Sequence, residues 1–199
     1  MRSAERQEDV LDRALELAAS TGLAQLTMKK IAARVGFSEA AIYRHFPTKQ
    51  ALLLGLMARL EARLVKRVAE IAAADPFSPA DRLARILDHH LRLVLEPNNL
   101  PILLLAEASA SGDPVLLRRM RGIMQAYLRV LEGLVKVGVA GRELPEEVQP
   151  VTIAMLLLGV PAALAIEHRL IANRRLERRV AGEIVPFLLH LLAPRRTRG

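Results

Sequence analysis

Between residues 27 and 49 the apolar positions fall into two short helical stripes with a glycine between them. The stretch reads TMKKIAARVGFSEAAIYRHFPTK. Met28, Ile31, Ala32 and Val35 follow the i, i+3, i+4, i+7 spacing of one helix face. Thr27 stands where a hydroxyl can accept a free backbone N–H, and Gly36 where the chain turns left-handed after a helix. Phe37 can then fold back on Ala32 or Ile31. Ser38 caps a second helix, which Pro47 ends near His45 or Phe46. Two short helices across a tight glycine-containing turn predict a helix-turn-helix. On the second helix Glu39, Ala40, Tyr43 and Arg44 share one arc, with Ile42 and Phe46 opposite. The apolar side is expected to rest on neighbouring helices, leaving the other arc to solvent or a DNA groove.

The same patterning carries the rest of the chain as helix. Residues 5–21 place Val10, Leu11, Ala14, Leu15 and Ala18 on one stripe and close a three-helix headpiece over residues 1–50. Residues 48–74 read as one long connecting helix with Leu53, Leu56, Met57, Leu60, Leu64, Val68 and Ile71 inward. Ser78-Pro79 and Asp113-Pro114 are each a cap followed by a proline in the first turn. The helix after Ser78 points Leu83, Ile86, Leu87, Leu91 and Val94 inward. A break at 97–99 and Pro101 precede a short apolar helix that Gly112 ends. The helix from Pro114 carries Leu116, Leu117, Met120, Met124, Tyr127, Leu128, Leu131 and Leu134, and Gly138, Gly141 and Pro145 mark its end. Residues 145–171 form the next helix, kinked at Pro161. Asn173-Arg174-Arg175 reads as a loop. Residues 176–192 form the last helix, with Val180, Ile184, Phe187, Leu188 and Leu191 inward and a bend at Pro186, and 194–199 are a basic tail. The expected fold is all-α, about nine helices, with a helix-turn-helix domain over 1–50 and a helical effector-binding and dimerisation domain over 51–193.

Composition narrows the partners. The chain is 52% apolar but 3% aromatic and lacks Trp, so its core must be Leu, Ala, Val and Ile. The formal charge of +8 fits a polyanionic partner. Locally, Lys29, Lys30, Arg34, Arg44 and Lys49 stand against Glu39 alone, five minus one, or +4 over residues 27–49. The absence of Cys excludes disulfides, Fe–S clusters and thiolate zinc sites, and agrees with a cytoplasmic home. Charges run through the first twenty residues, unlike a secretory signal. The longest apolar run, 153–166, is 14 residues and contains Pro161. A spanning helix needs about 20, so the run is read as a helix buried on every side, not as a membrane segment. His89 and His90 are adjacent and point about 100° apart, so they cannot share a metal. With no HExxH, P-loop or GxGxxG, no catalytic residue, metal or cofactor is expected.

Thr27, Ile31-Ala32, Gly36, Ser38, Ile42-Tyr43, Phe46, Lys49 and Leu52 together resemble the DNA-binding motif of the tetracycline-repressor (TetR) family. The resemblance covers roughly the first quarter of the chain. It implies that Thr27, Tyr43, His45 and Lys49 contact phosphates and that Ser38, Glu39, Ala40 and Arg44 face bases, and Lys29 is taken with them as a DNA contact. The chemistry agrees, since Tyr43, His45 and Lys49 can donate to phosphate oxygens and Arg44 to guanine O6 and N7. Two departures leave the operator sequence open. Ala40 stands where many relatives carry glycine, and Glu39 puts an acid on the reading face.

A single headpiece reads about half a site, so specificity calls for a homodimer. Residues 145–171 and 176–192 are the helices an internal core explains least, and the resemblance implies pairing through two helices from each chain. It also implies an effector pocket in the body. The aliphatic candidates are Leu87, Leu91, Leu105, Met120, Met124, Tyr127 and Leu128, with Glu107 or His90 for one polar group. The same Leu and Met stripe also fits plain core. The expected function is a DNA-binding transcriptional regulator, a repressor released by a small hydrophobic effector. A protein coating DNA without sequence choice, and a peripheral membrane or lipid-carrying helical module, are the alternatives.

Overall fold

The computed structural model describes residues 3–95, 100–171 and 173–193, and the side chains of all of these except 3, 4, 100–103 and 169. The expected break at 97–99 and the basic tail at 194–199 lie outside them. Among the described residues every regular element is helical: α1 (Ser3–Thr21), α2 (Met28–Val35), α3 (Glu39–His45), α4 (Lys49–Glu61), a π-helical turn (Ala62–Lys66), α5 (Arg67–Ala72), α6 (Pro79–Val94), α7 (Leu100–Ala110), α8 (Pro114–Ala140), α9 (Pro150–Leu170) and α10 (Arg174–Leu192). The segments α4, π turn and α5 are continuous along the chain, so the described residues hold nine helical stretches. The fold is the all-α one expected.

The chain divides into two compact units, residues 1–61 with 97–122, and residues 62–96 with 123–199. In the first, α1 packs on α2, α4 and α7, α2 on α3, and α4 on α7. Val10, Ala14, Ile31, Ile42, Leu52, Leu56, Met57 and Leu104 are wholly enclosed. Polar ties reinforce this packing. Arg59 bonds the carboxylates of Glu8 and Asp12, the latter at 2.7 Å, and Gln50 Nε2 donates to Asp113 Oδ2 at 2.7 Å. Asp113 also caps α8, its Oδ1 accepting from the N–H of Val115 at 2.8 Å.

In the second unit α6 is the central helix, packed on α5, α9 and α10. Its Leu83, Ile86, Leu87, Leu91 and Val94 are all buried, as the stripe requires. Ser78 caps it, accepting from the N–H of Asp81 at 3.1 Å. From the second part of α8, Tyr127, Leu131, Leu134 and Val135 join this core, and from α9 Ile153, Ala154, Leu157, Leu164 and Ala165.

Four expectations are corrected. The helix expected over 48–74 is interrupted by the π turn. Leu60, Leu64 and Val68 step by four residues, each step overshooting an α-turn by about 40°, and a wider turn absorbs the excess. The helix expected from residue 145 begins at Pro150. A helix through 145–150 would need a donor that Pro150 lacks, whereas in the first turn none is needed. Asn173 is not loop but cap, its Oδ1 accepting from the N–H of Leu176 at 3.1 Å, so α10 starts at Arg174. On α10 itself only Leu188 of the expected inward stripe is buried. Phe187 is 57% and Leu191 50% exposed, while Leu192 and Glu177 take the inner face.

Candidate nucleic-acid interface

The helix-turn-helix is assembled by local bonds that its residue types dictate. Thr27 adopts an extended backbone and its Oγ1 accepts from the N–H of Lys30 at 3.2 Å, starting α2. Gly36 takes φ +77°, a left-handed geometry that costs a side-chain-bearing residue about 1 kcal/mol or more. That turn lets the N–H groups of both Gly36 and Phe37 donate to Ala32 O at 3.0 Å. Ser38 Oγ then accepts from the N–H of Ala41 at 3.2 Å and starts α3. Phe46 ends α3 in an extended conformation, and Thr48 Oγ1 accepts from the N–H of Ala51, opening α4.

The two sides of α3 separate as expected. Ile42 and Phe46 are buried, at 0% and 7% exposure. Ser38, Glu39, Ala40, Tyr43 and Arg44 are exposed, as are Thr27 and Lys29, and His45 is half-buried. Lys49 is held back on the protein. Its Nζ donates to Ala24 O at 3.2 Å and lies 3.5 Å from Glu107 Oε1. The sequence reading missed Arg6, which lines a concavity with Phe37, Ala41, Arg44 and His45. Nothing in its neighbourhood along the chain marks it, because the proximity arises only once α1 is folded against the motif.

The nine candidate effector residues divide between the units. Leu105, Glu107 and Met120 belong to the first, where Leu105 is 50% exposed and Glu107 is engaged by Lys49. Leu87, His90, Leu91, Met124, Tyr127 and Leu128 belong to the second. There the structure brings His90 and Tyr127 together, with ring centroids 5.4 Å apart. Burial pushes His90 down to about 4, so its ring is neutral at pH 7. Nδ1 lies 2.9 Å from Leu157 O, which can only accept, so Nδ1 carries the proton and Nε2 a bare lone pair. Among the described residues neither Nε2 nor the Tyr127 hydroxyl has a partner, though both are buried. Burial also raises the Tyr127 phenol, keeping it protonated.

A short helix that presents Tyr43 and Arg44 outward from a capped turn, over a buried apolar face, defines the helix-turn-helix class of DNA-binding protein. Residues 10–56 match the family model described as bacterial regulatory proteins, tetR family, so this quarter of the chain is a DNA-binding region of the TetR type. It is 26% identical over 137 residues to the fatty acid metabolism regulator protein of Bacillus subtilis (strain 168), covering 69% of this chain and 70% of that protein. It is 38% identical over 96 residues to the nucleoid occlusion factor SlmA of Vibrio atlanticus (strain LGP32). The second match covers 48% of this chain and spans less than half, 44%, of that relative. Among solved structures, a TetR/AcrR-family regulator from Thermobifida fusca superposes with TM-score 0.71 at 28% identity, covering 93% of this chain and 97% of that one. FadR from Bacillus subtilis in complex with stearoyl-CoA superposes with TM-score 0.76 at 20% identity, over 93% and 98%. That likeness is one of fold.

Proposed function

We propose that the chain is a homodimeric, sequence-specific repressor that occupies a near-palindromic operator in the cytoplasm and leaves it when a small, largely apolar effector binds. The observation that carries this reading is the exposed arc of Glu39, Ala40, Tyr43 and Arg44 standing over buried Ile42 and Phe46. Ser38, Glu39, Ala40 and Arg44 face base edges, with Arg44 forked onto guanine O6 and N7. Thr27, Lys29, Tyr43, His45 and Lys49 hold phosphate oxygens. The Thr27 oxygen accepts from Lys30, which leaves its proton for a phosphate. Lys49 exchanges Ala24 O and Glu107 for phosphate on binding. Residues 1–50 serve as the DNA-binding domain and residues 51–193 carry pairing and effector binding.

Pairing through α9 and α10 is supported by what they leave uncovered. Val151, Met155, Leu156, Ile166 and Leu170 of α9 and Phe187 and Leu191 of α10 are all exposed. The expectation that 153–166 is buried on every side therefore fails within one chain, and a second copy would supply the missing cover. Two headpieces then enter successive major grooves about 34–36 Å apart or a multiple of that. For the effector, the His90 lone pair and the Tyr127 hydroxyl suit one group that both donates and accepts, a hydroxyl or a protonated carboxyl. The aliphatic Leu87, Leu91, Met124 and Leu128 on the same two helices suit a long acyl chain, in keeping with a relative named for fatty acid metabolism. The effector releases DNA only to the extent that it prefers the non-binding form.

Selection of bound duplexes from a random pool tests the reading. A recovered site should be preferred at least about 10³-fold over random duplex. Arg44→Ala should relax the preference at one base position at a loss of about 1–3 kcal/mol. Equal loss on all duplexes removes Arg44 from base reading, and a chain that binds no duplex ends the proposal. One observation favours another class: residues Pro150–His168 are long and apolar enough to cross a membrane, with a mean hydropathy of 1.9. Co-sedimentation with liposomes, without DNA affinity, would select that reading instead.

A further inference from the structure

We infer that Arg6, on α1 and outside the helix-turn-helix, is a phosphate-anchoring residue for duplex DNA; the inference rests on the DNA-binding reading above. Arg6 shares with Phe37, Ala41, Arg44 and His45 the lining of an open concavity of about 540 Å³. Its lining holds two guanidinium groups and one imidazole, and no acid. The hollow is far larger than one phosphate group, so it suits a length of sugar-phosphate strand rather than a free anion.

The charge of Arg6 is uncompensated where that of its neighbours is not. On α1 Arg13 pairs with Glu16 at 2.8 Å and with Asp9 at 3.8 Å. On α2 Arg34 reaches Glu16 at 3.5 Å, and on α4 Arg59 is claimed by Glu8 and Asp12. Among the described residues Arg6 and Arg44 have no hydrogen-bond or ion-pair partner. Two unpaired guanidinium groups around one hollow repel each other, and an anion placed between them relieves that repulsion. Arg6 is also firmly based. It lies one helical turn before Val10, which is fully buried, so its side chain leaves a part of α1 that is fixed to the core. A cation on a fixed base loses less freedom on binding than one on a loose arm. With Arg44 turned to base edges, Arg6 is placed to hold the strand that borders the groove, over the apolar floor of Phe37 and Ala41.

The test is fluorescence anisotropy of the full chain with two labelled probes, a mixed-sequence duplex and a duplex recovered by selection, from about 50 to 200 mM salt. Arg6→Ala should weaken both by the same factor and lower the slope of log affinity against log salt by about 0.9. Across that fourfold salt range the variant's loss of affinity would be about threefold smaller than that of the wild type. Arg6→Lys should restore the slope. The melting temperature of Arg6→Ala should not change, since the side chain is exposed and unpartnered. An unchanged slope with normal wild-type binding overturns the inference about Arg6 alone, as does a loss confined to the selected duplex, which would make Arg6 a base reader. A wild-type chain that binds neither probe ends the DNA-binding reading and this inference with it.

Discussion

Acid should loosen the second unit through a single histidine. His90 is 2% exposed, and burial lowers it from 6.5 to about 4, with the nearby His89 contributing in the same direction and the hydrogen bond to Leu157 O opposing. The unfolded chain therefore takes up a proton near pH 6.5, which the folded chain refuses until about pH 4. Between those limits the unfolded state binds more protons, so stability falls as pH falls. The stabilisation present above pH 6.5 is lost by about pH 4, at about 1.4 kcal/mol per pH unit, or about 3 kcal/mol over the window. The assay is urea unfolding at a series of pH values, comparing the wild type with His90→Asn. Asn keeps a donor near the position of Nδ1 for Leu157 O but cannot titrate. The variant loses absolute stability from the space it leaves, so the informative quantity is the slope. Between pH 6.5 and 5 the wild type should lose about 2 kcal/mol more than the variant. Equal slopes would mean that the ring takes up its proton without leaving the core, and the argument from burial would be wrong.

Two further outcomes follow from packing. A Cβ on Gly138 would lie 2.6 Å from Leu144 Cδ1 and 2.8 Å from Pro79 Cβ, whereas one on Gly133 of the same helix would meet nothing within 4 Å. Gly138→Ala should lower stability by about 1–2 kcal/mol and Gly133→Ala raise it by about 0.5–1, read as melting temperatures moving in opposite directions; parallel shifts would refute the close contact. Met155 on α9 is 59% exposed, so Met155→Lys should leave the folded chain intact by circular dichroism yet shift sedimentation toward a single copy and weaken operator binding. A dimer that survives with wild-type affinity would remove that face from the interface.

The helix-turn-helix was legible because its signals are local. Thr27, Gly36 and Ser38 each act within three or four residues, so sequence alone placed the start of α2, the turn and the start of α3. Ile42 inward and Arg44 outward followed from helical periodicity. What failed was decided by distance or by direction. Two apolar stripes coexist on α10, and periodicity cannot say which turns inward. Leu188 and Leu192 are buried, and Phe187 and Leu191 are exposed. The engagement of Lys49 by Ala24 O and Glu107 joins residues far apart in the chain. Arg6 was invisible for the same reason. The π turn did leave a trace, the four-residue repeat Leu60, Leu64, Val68, which a strict 3.6-residue reading passes over.

The exposed side of α9 has a form that bears on what covers it. Val151, Met155, Gly159, Ala163, Ile166 and Leu170 are all exposed and recur at steps of three or four residues. Large apolar side chains stand at the ends of this stripe and the smallest residues at its middle, where a Cβ on Gly159 would meet nothing within 4 Å. A flat lipid phase would be indifferent to such a dip. A second helix crossing there is not, because small residues let the backbones approach while the flanking side chains close around the crossing. The opposite side of the same helix is fixed to its own unit by Ile153, Ala154, Leu157, Leu164 and Ala165, and a helix so anchored is not free to leave for a bilayer. The stripe is nearly symmetric about its middle, and a surface that pairs with itself about a two-fold axis needs that property. Shape, anchoring and symmetry thus argue together for another copy of this chain, and a two-fold pair of headpieces is what a near-palindromic operator requires.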